Sequence, residues 1–387
     1  MSGAVYLDHN ATTPVRPEVL EAMLPYLRGE FGNPNSVHSA GQRARRAVER
    51  AREQTAALVG CQPAEVVFTA SGSEADNAAL KGAAQAAWNQ SGGKKRHLVV
   101  GAVEHEAVLG AARHLAARGF ETTHVGVDAR CRVDPAAVAA ALRPETAVVS
   151  VMYANNEVGT LQPARELAAL CREKGVLFHT DAVQAAGKVP LDFAALGADL
   201  MALSGHKLNA PKGVGALIVR RGAALVPLVA GHQEKNRRGG TENVAGIVAF
   251  GAACELASRE VAAHAQELGA LRQGLEAAVS ALPGARVTVA GEGRLPGTSH
   301  FCFSGVDGHS LVVALDLEGI CVSSGPACSA GATELSHVLK AMKVEEAWGK
   351  GALRVSLGWG STSADVGRLL AVLPGALERL RAAERVA

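Results

Sequence analysis

The sequence predicts an α/β protein: a large domain with a mainly parallel sheet flanked by helices, followed by a smaller α+β domain. Two observations carry this. Short β-branched or aliphatic runs alternate with helical patterns through the first two-thirds of the chain. Polar, glycine-bearing clusters recur just after those runs, and α/β sheets hold their ligands beyond the carboxyl ends of the strands. The length of 387 residues, at roughly 100–200 residues per domain, suggests about two domains. The expected division is 15–255 for the large domain, and 1–14 with 256–387 for the small one.

The elements follow in order. A helix over 40–59 sets Ala44, Ala47, Val48, Ala51 and Leu58 on its apolar face and stops at Gly60. Its arginines (Arg43, Arg45, Arg46, Arg50, Arg52) read as a solvated face, not a phosphate-binding stripe. Val66-Val67-Phe68-Thr69 is a strand, and a helix follows over 74–88. A strand at 98–100 leads to a helix over 105–118 closed by Gly119. Asp134 is an N-cap and Pro135 the first residue of a helix over 135–142. After a strand at 147–152, Pro163 opens a helix that ends at Gly175. Strands at 176–179, 200–203 and 215–219 complete the first set. From about residue 252 a long helical stretch leads on. Beyond it come strands near 287–289, 299–304 and 353–357, and helices near 310–318, 333–342 and 364–381.

Composition narrows the function classes. With 48% hydrophobic and 20% charged residues the chain reads as an ordinary soluble globular protein. A net charge of +2 gives no reason to expect a nucleic-acid partner. No apolar run approaches the ~20 residues of a membrane span, and the opening residues lack a secretion-signal pattern. The seven cysteines are scattered and form no CxxC pair, so a reducing cytoplasm is expected, without disulfides or a bound metal.

The chemistry is concentrated in two clusters. Ser204-Gly205-His206-Lys207 places a lysine just after one predicted strand, and His179-Thr180-Asp181 places a carboxylate at the end of another. That pair suits pyridoxal phosphate: the lysine binds the aldehyde as a Schiff base, and the aspartate keeps the pyridine nitrogen protonated. Ser71-Gly72-Ser73-Glu74, between a strand and a helix, offers an anion cradle or merely an N-cap. His105 could stack on a ring and shuttle protons, or simply sit at a helix start. Asn156 and Gln184 could reach a ring oxygen, although Asn155-Asn156 also fits plain turn chemistry. Thr241, after Arg237-Arg238-Gly239-Gly240, could cap the following helix or reach a phosphate. Cys328 sits in a loop of small residues and is either a nucleophile or an accidental thiol. Arg354, a charge in an apolar strand, suits a substrate carboxylate and equally a structural ion pair.

Together these segments resemble the cysteine desulfurases, in the class-V aminotransferase group of fold-type I enzymes. The matching stretches include Tyr6–Pro14, Phe31–Pro34, the Ser71–Asn77 turn, Glu104-His105, Asn155–Glu157, His179–Gln184, Ser204–Lys207, Arg238–Asn243, Ser324–Cys328 and Arg354–Leu357. The likeness is greatest to the nitrogenase-associated and housekeeping iron–sulfur branch. The resemblance implies that L-cysteine is converted to L-alanine, with a persulfide left on Cys328 for a sulfur-acceptor protein such as an iron–sulfur scaffold. Cys328 would touch a metal cluster only transiently, on that acceptor. Lys207 would carry the cofactor, Asp181 pair with its ring nitrogen and His105 stack on it. Asn156 and Gln184 would approach its hydroxyl. Gly72, Ser73, Ser204 and His206 would hold the phosphate, with Thr241 supplied by the second subunit of a homodimer. Arg354 and Asn33 would bind the substrate carboxylate. Pro326 and Trp359 depart from the usual pattern, which holds serine and arginine there. A selenocysteine lyase or a cysteine sulfinate lyase on the same scaffold is the alternative.

Overall fold

The computed structural model describes residues 4–325 and 335–384. Cys328 and Pro326 lie outside the described residues. The strands in chain order begin with β1 (Val5–Tyr6), β2 (Val66–Thr69), β3 (His97–Gly101), β4 (Glu121–Val125), β5 (Thr146–Ser150) and β6 (Leu177–Asp181). They continue with β7 (Leu200–Ser204), β8 (Gly215–Val219), β9 (Ala285–Val287), β10 (Thr298–Phe303), β11 (Ile320–Cys321) and β12 (Ala352–Ser356).

Seven strands form the main sheet, in the order β2-β8-β7-β6-β5-β3-β4. β8 runs antiparallel to both its neighbours, and the other pairs are parallel. Every residue of β3, β5, β7 and β8 is buried, as expected for strands covered on both faces. The two faces belong to two apolar clusters. Val66 and Phe68 face one and Val67 the other, following the two-residue alternation of a strand. The helix Ser39–Val59 packs on the first face, and Gly72–Gln90 with Glu106–Ala116 on the second.

A separate core gathers β1, β10, β12 and the C-terminal helix Ser363–Glu384. β1 pairs in parallel with β11, and β10 lies between β9 and β12. The 37-residue helix Val244–Ser280 serves both cores. Its Ile247, Phe250 and Cys254 enter the first, while Leu268, Leu275 and Val279 enter the second.

Two sequence expectations need correction, and two elements come in addition to those expected. Arg52 does not join the solvated arginine face. It is buried and forms a two-pronged ion pair with Glu234, at 2.7 and 2.9 Å, because its place on the helix aligns with Val48 and not with Arg43. Thr241 does not cap the long helix; Asn243 does, accepting a hydrogen bond from the Gly246 amide. β4 was not expected because it is an edge strand of polar residues, only Val125 of which is buried. The helix Pro17–Arg28 was also not expected: it buries only Val19 and carries a second proline, Pro25.

Candidate active site

β6 and β7 are neighbours, so Asp181 stands at the end of one strand directly beside Ala202 of the other. A short 3-10 turn, Gly205–Lys207, then delivers the lysine. Glycine is required at its start: a Cβ on Gly205 would come within 2.8 Å of a Val214 methyl. The Lys207 ammonium donates to the Ala11 carbonyl at 2.6 Å and also to the Asn10 carbonyl. Asp181 accepts a hydrogen bond from the Val183 amide at 2.8 Å.

These groups open onto one cavity of about 260 Å³. Its lining includes Lys207, Asp181, Gln184, Asn156, His105, Gly72, Ser73, Ser204, His206 and Arg354. Thr241 and Asn33 are not part of that lining; both are exposed. Asn33 instead accepts the Asn35 amide at 2.9 Å. Among the described residues the predicted ones thus converge, with these two as the exceptions; Cys328 lies outside the described residues.

One end of the cavity suits an anion. Ser71 caps the helix Gly72–Gln90 by accepting from the Glu74 amide, leaving the first-turn N–H groups at the helix start. A Cβ on Gly72 would meet a Val183 methyl at 2.7 Å and Ser204 Cβ at 3.0 Å, so the backbone there borders the cavity bare. His206 lines the same cavity, its ring 3.1 Å from the Thr12 hydroxyl. Burial, reinforced by Lys207 and Lys212, pulls its pKa down to about 4.

The middle of the cavity is acidic. Burial pushes Asp181 above the usual carboxylate range, and His105 and Lys207 pull it part of the way back. Asp76 lines the same wall, is fully enclosed, and is raised well above its ordinary value by burial and then by Asp181 and Glu104. His179, also buried, stands 3.5 Å from it. His105 caps the helix Glu106–Ala116, its Nδ1 accepting the Ala107 amide, which leaves Nε2 as the nitrogen free to carry the proton. A cationic ring nitrogen beside Asp181 would relieve this crowding of carboxyl groups.

The asparagine pair divides its work. Asn155 performs the turn chemistry, its side chain accepting the Glu157 and Val158 amides. Asn156 faces the cavity, and its carbonyl accepts from Asn10 and Arg354. Arg354 is enclosed, pairs with Asp8 at 2.7 Å and donates to the Asn156 carbonyl at 3.0 Å. Its Nε has no hydrogen-bond partner among the described residues. The structural ion pair is therefore present, and one buried N–H is left over.

Sequence reading missed Asp8, Asn10, Asp76 and Lys188 as site residues. The polar run Asp8-His9-Asn10 directly after β1 was an available signal. Nothing local marked Lys188 or Asp76, because their place depends on which segments meet.

Residues 5–369 match the family described as aminotransferase class-V. This chain belongs to the class-V aminotransferase family. Among relatives of this class-V aminotransferase is a cysteine desulfurase of Trichormus azollae, 44% identical over 98% of this chain and 94% of its own length. Another is the cysteine desulfurase IscS of Dictyoglomus turgidum, 44% identical over 98% of this chain and 96% of its own length. A solved NifS-like protein superposes with a TM-score of 0.91 at 36% identity, covering 97% of this chain and all of its own.

Proposed function

We propose that the chain is a pyridoxal-phosphate-dependent cysteine desulfurase that converts L-cysteine to L-alanine and passes the sulfur through Cys328 to an acceptor protein. The observation that carries this is the meeting of Lys207, Asp181 and the bare helix start at Gly72 on one cavity. Lys207 would hold the cofactor covalently. The Gly72–Ser73 amides, Ser73, Ser204 and His206 would hold its phosphate, and Asp181 its ring nitrogen. When bound, pyridoxal phosphate supplies an electron sink for charge developing at the substrate Cα.

The remaining roles fall to side chains. His105 would stack on the ring, with Asn156 and Gln184 at its hydroxyl. The Lys207 amine would take the proton from Cα. Arg354 would orient the substrate carboxylate, with Asn33 as a further contact. Cys328 would receive the sulfur. The flanks of its segment are anchored beside the cavity: Ser323 pairs with the Arg354 backbone, and the His337 ring contacts the Glu104 carbonyl.

A homodimer fits the surface. Phe31 and Val37 are 84% and 92% exposed, and Thr241 lies outside its own cavity, as a residue donated to a second subunit would. The six cysteines among the described residues are free, which suits the reducing cytoplasm. Among the described residues no helix is long and apolar enough to cross a membrane, and no cluster of metal-ligating side chains occurs.

The test is to incubate the protein, supplied with pyridoxal phosphate, with L-cysteine and to quantify alanine and sulfide together. Wild type should give both. Cys328→Ser should retain the borohydride-bleachable yellow colour yet lose sulfur release by more than about 10²-fold. A wild-type protein that stays colourless, or a Cys328→Ser protein that still forms a protein persulfide, would refute the reading.

A further inference from the structure

One group beside the cavity has no part in the chemistry above. Lys188 follows Gln184 by four residues, and its amine donates to the Gln184 Oε1 at 2.7 Å and to the Asn10 Oδ1 at 3.0 Å. On the other side of the same amide, the Gln184 Nε2 donates to the Asn10 carbonyl at 2.9 Å. That carbonyl also accepts from Lys207.

These contacts leave no freedom in how the Gln184 amide is turned. The Lys188 amine donates here, and the atom that accepts from it is the carbonyl oxygen. A backbone carbonyl only accepts, so the atom facing Asn10 must be the nitrogen. The two constraints are independent and agree. Asn10 is fixed in the same way, with Oδ1 toward Lys188 and Nδ2 donating to the Asn156 carbonyl and the Thr298 hydroxyl. Asn10 and Lys207 line the cavity, whereas Lys188 does not, so the nitrogen end of the amide is the end on the cavity side.

We propose that Lys188 is a positioning residue that holds Gln184 as a hydrogen-bond donor toward the cavity, and so selects an anionic oxygen on the cofactor ring. One N–H of Gln184 serves Asn10, and the second remains for that oxygen. This rests on the reading of Gln184 as a contact of the cofactor's ring hydroxyl. The ionisable groups around Lys188 are Lys207, Arg354, His9 and His206. Burial, with Lys207 and Arg354 adding to it, pulls Lys188 well below the ordinary lysine value. Charged or neutral, the amine has the two N–H donors that the geometry uses.

The experiment is a pH titration of the visible absorption of the holoprotein, for wild type, Lys188→Met, Gln184→Met and the double variant. Without Lys188 the Gln184 oxygen loses its donor and only the Asn10 carbonyl still holds the amide, so the N–H is placed less firmly and the ring oxygen holds a shared proton more tightly. Lys188→Met should therefore raise the spectroscopic pKa by about one unit, a tenfold change in proton affinity. In the Gln184→Met background the same substitution should add nothing. The proposal is overturned if Lys188→Met leaves the titration unchanged, or if its shift persists without Gln184. If Lys188→Met does not fold, Lys188→Gln decides: it keeps an N–H donor, so a wild-type titration supports the assignment and a full-unit rise overturns it. A wild type that takes up no cofactor would be a failure of the function itself, distinct from any of these results.

Discussion

Replacing Arg52 by methionine tests how the loop after β8 is held. Both partners of the Arg52–Glu234 pair are almost enclosed, with side chains 8% and 3% exposed. Glu234 also accepts the Phe68 amide at 3.0 Å, and Arg52 donates to the Val66 carbonyl at 2.8 Å. The pair thus ties the loop to β2, one strand before the helix start at Gly72. The loop needs holding: Glu234, Lys235 and Asn236 are three successive non-glycine residues with φ of 46°, 59° and 63°. Each costs on the order of 1–3 kcal/mol unless its surroundings enforce it. Arg52→Met leaves a buried carboxylate without its cation, a loss of about 3–5 kcal/mol. The measurement is the urea unfolding midpoint, with Glu234→Gln and the double variant completing a cycle. The double variant should recover part of the loss, so the two single effects should not add. The loop also carries Arg238, which pairs with Glu74 in the first turn of that helix, so Arg52→Met should release cofactor faster on dialysis. An unchanged midpoint, or strict additivity, would refute the argument.

Two further outcomes follow. Gly72→Val puts a side chain against Val183 and Ser204, which overpacks the cradle. Cofactor affinity, followed by absorbance titration, should fall more than about tenfold while the circular dichroism stays native. His300 is buried and donates to or accepts from Thr288 at 2.7 Å, and burial, with Arg354 nearby, pulls its pKa from 6.5 to about 3. Its folded-state value is depressed, so the unfolded chain binds the proton first and stability is lost as pH falls below 6.5. Between pH 6.5 and about 4 this one group accounts for about 3 kcal/mol. His300→Gln should flatten that part of a stability-against-pH curve, and an equally steep fall would exclude His300 as its source.

The parallel strands were legible because burial on both faces makes them continuous apolar runs, as in Leu200-Met201-Ala202-Leu203. Lys207 and Asp181 were legible because they interrupt or end such runs. Edge strand β4 was not, since Glu121-Thr122-Thr123-His124 has only one packed face and no apolar signature. Arg52 shows a second limit. It reads with the solvated arginine face, although it lies one turn from Val48, and its burial depends on a glutamate 182 residues away. The same holds within the site. Asp8 and Lys188 look like ordinary surface charges until the fold sets one on Arg354 and the other on Gln184. Composition and spacing encode which face is covered; they do not encode which distant side chain covers it.

The Asn10 segment has a consequence for how the protein is made. Its amide donates to the Ser356 hydroxyl, its side chain to Thr298, and the neighbouring Asp8 grips Arg354. Residues 8–10 therefore wait for residues 298–356 to be translated before these contacts can form. Gln184 and His206 hold part of this segment earlier, but the setting of the carbonyls that Lys207 contacts is complete only once β12 has emerged.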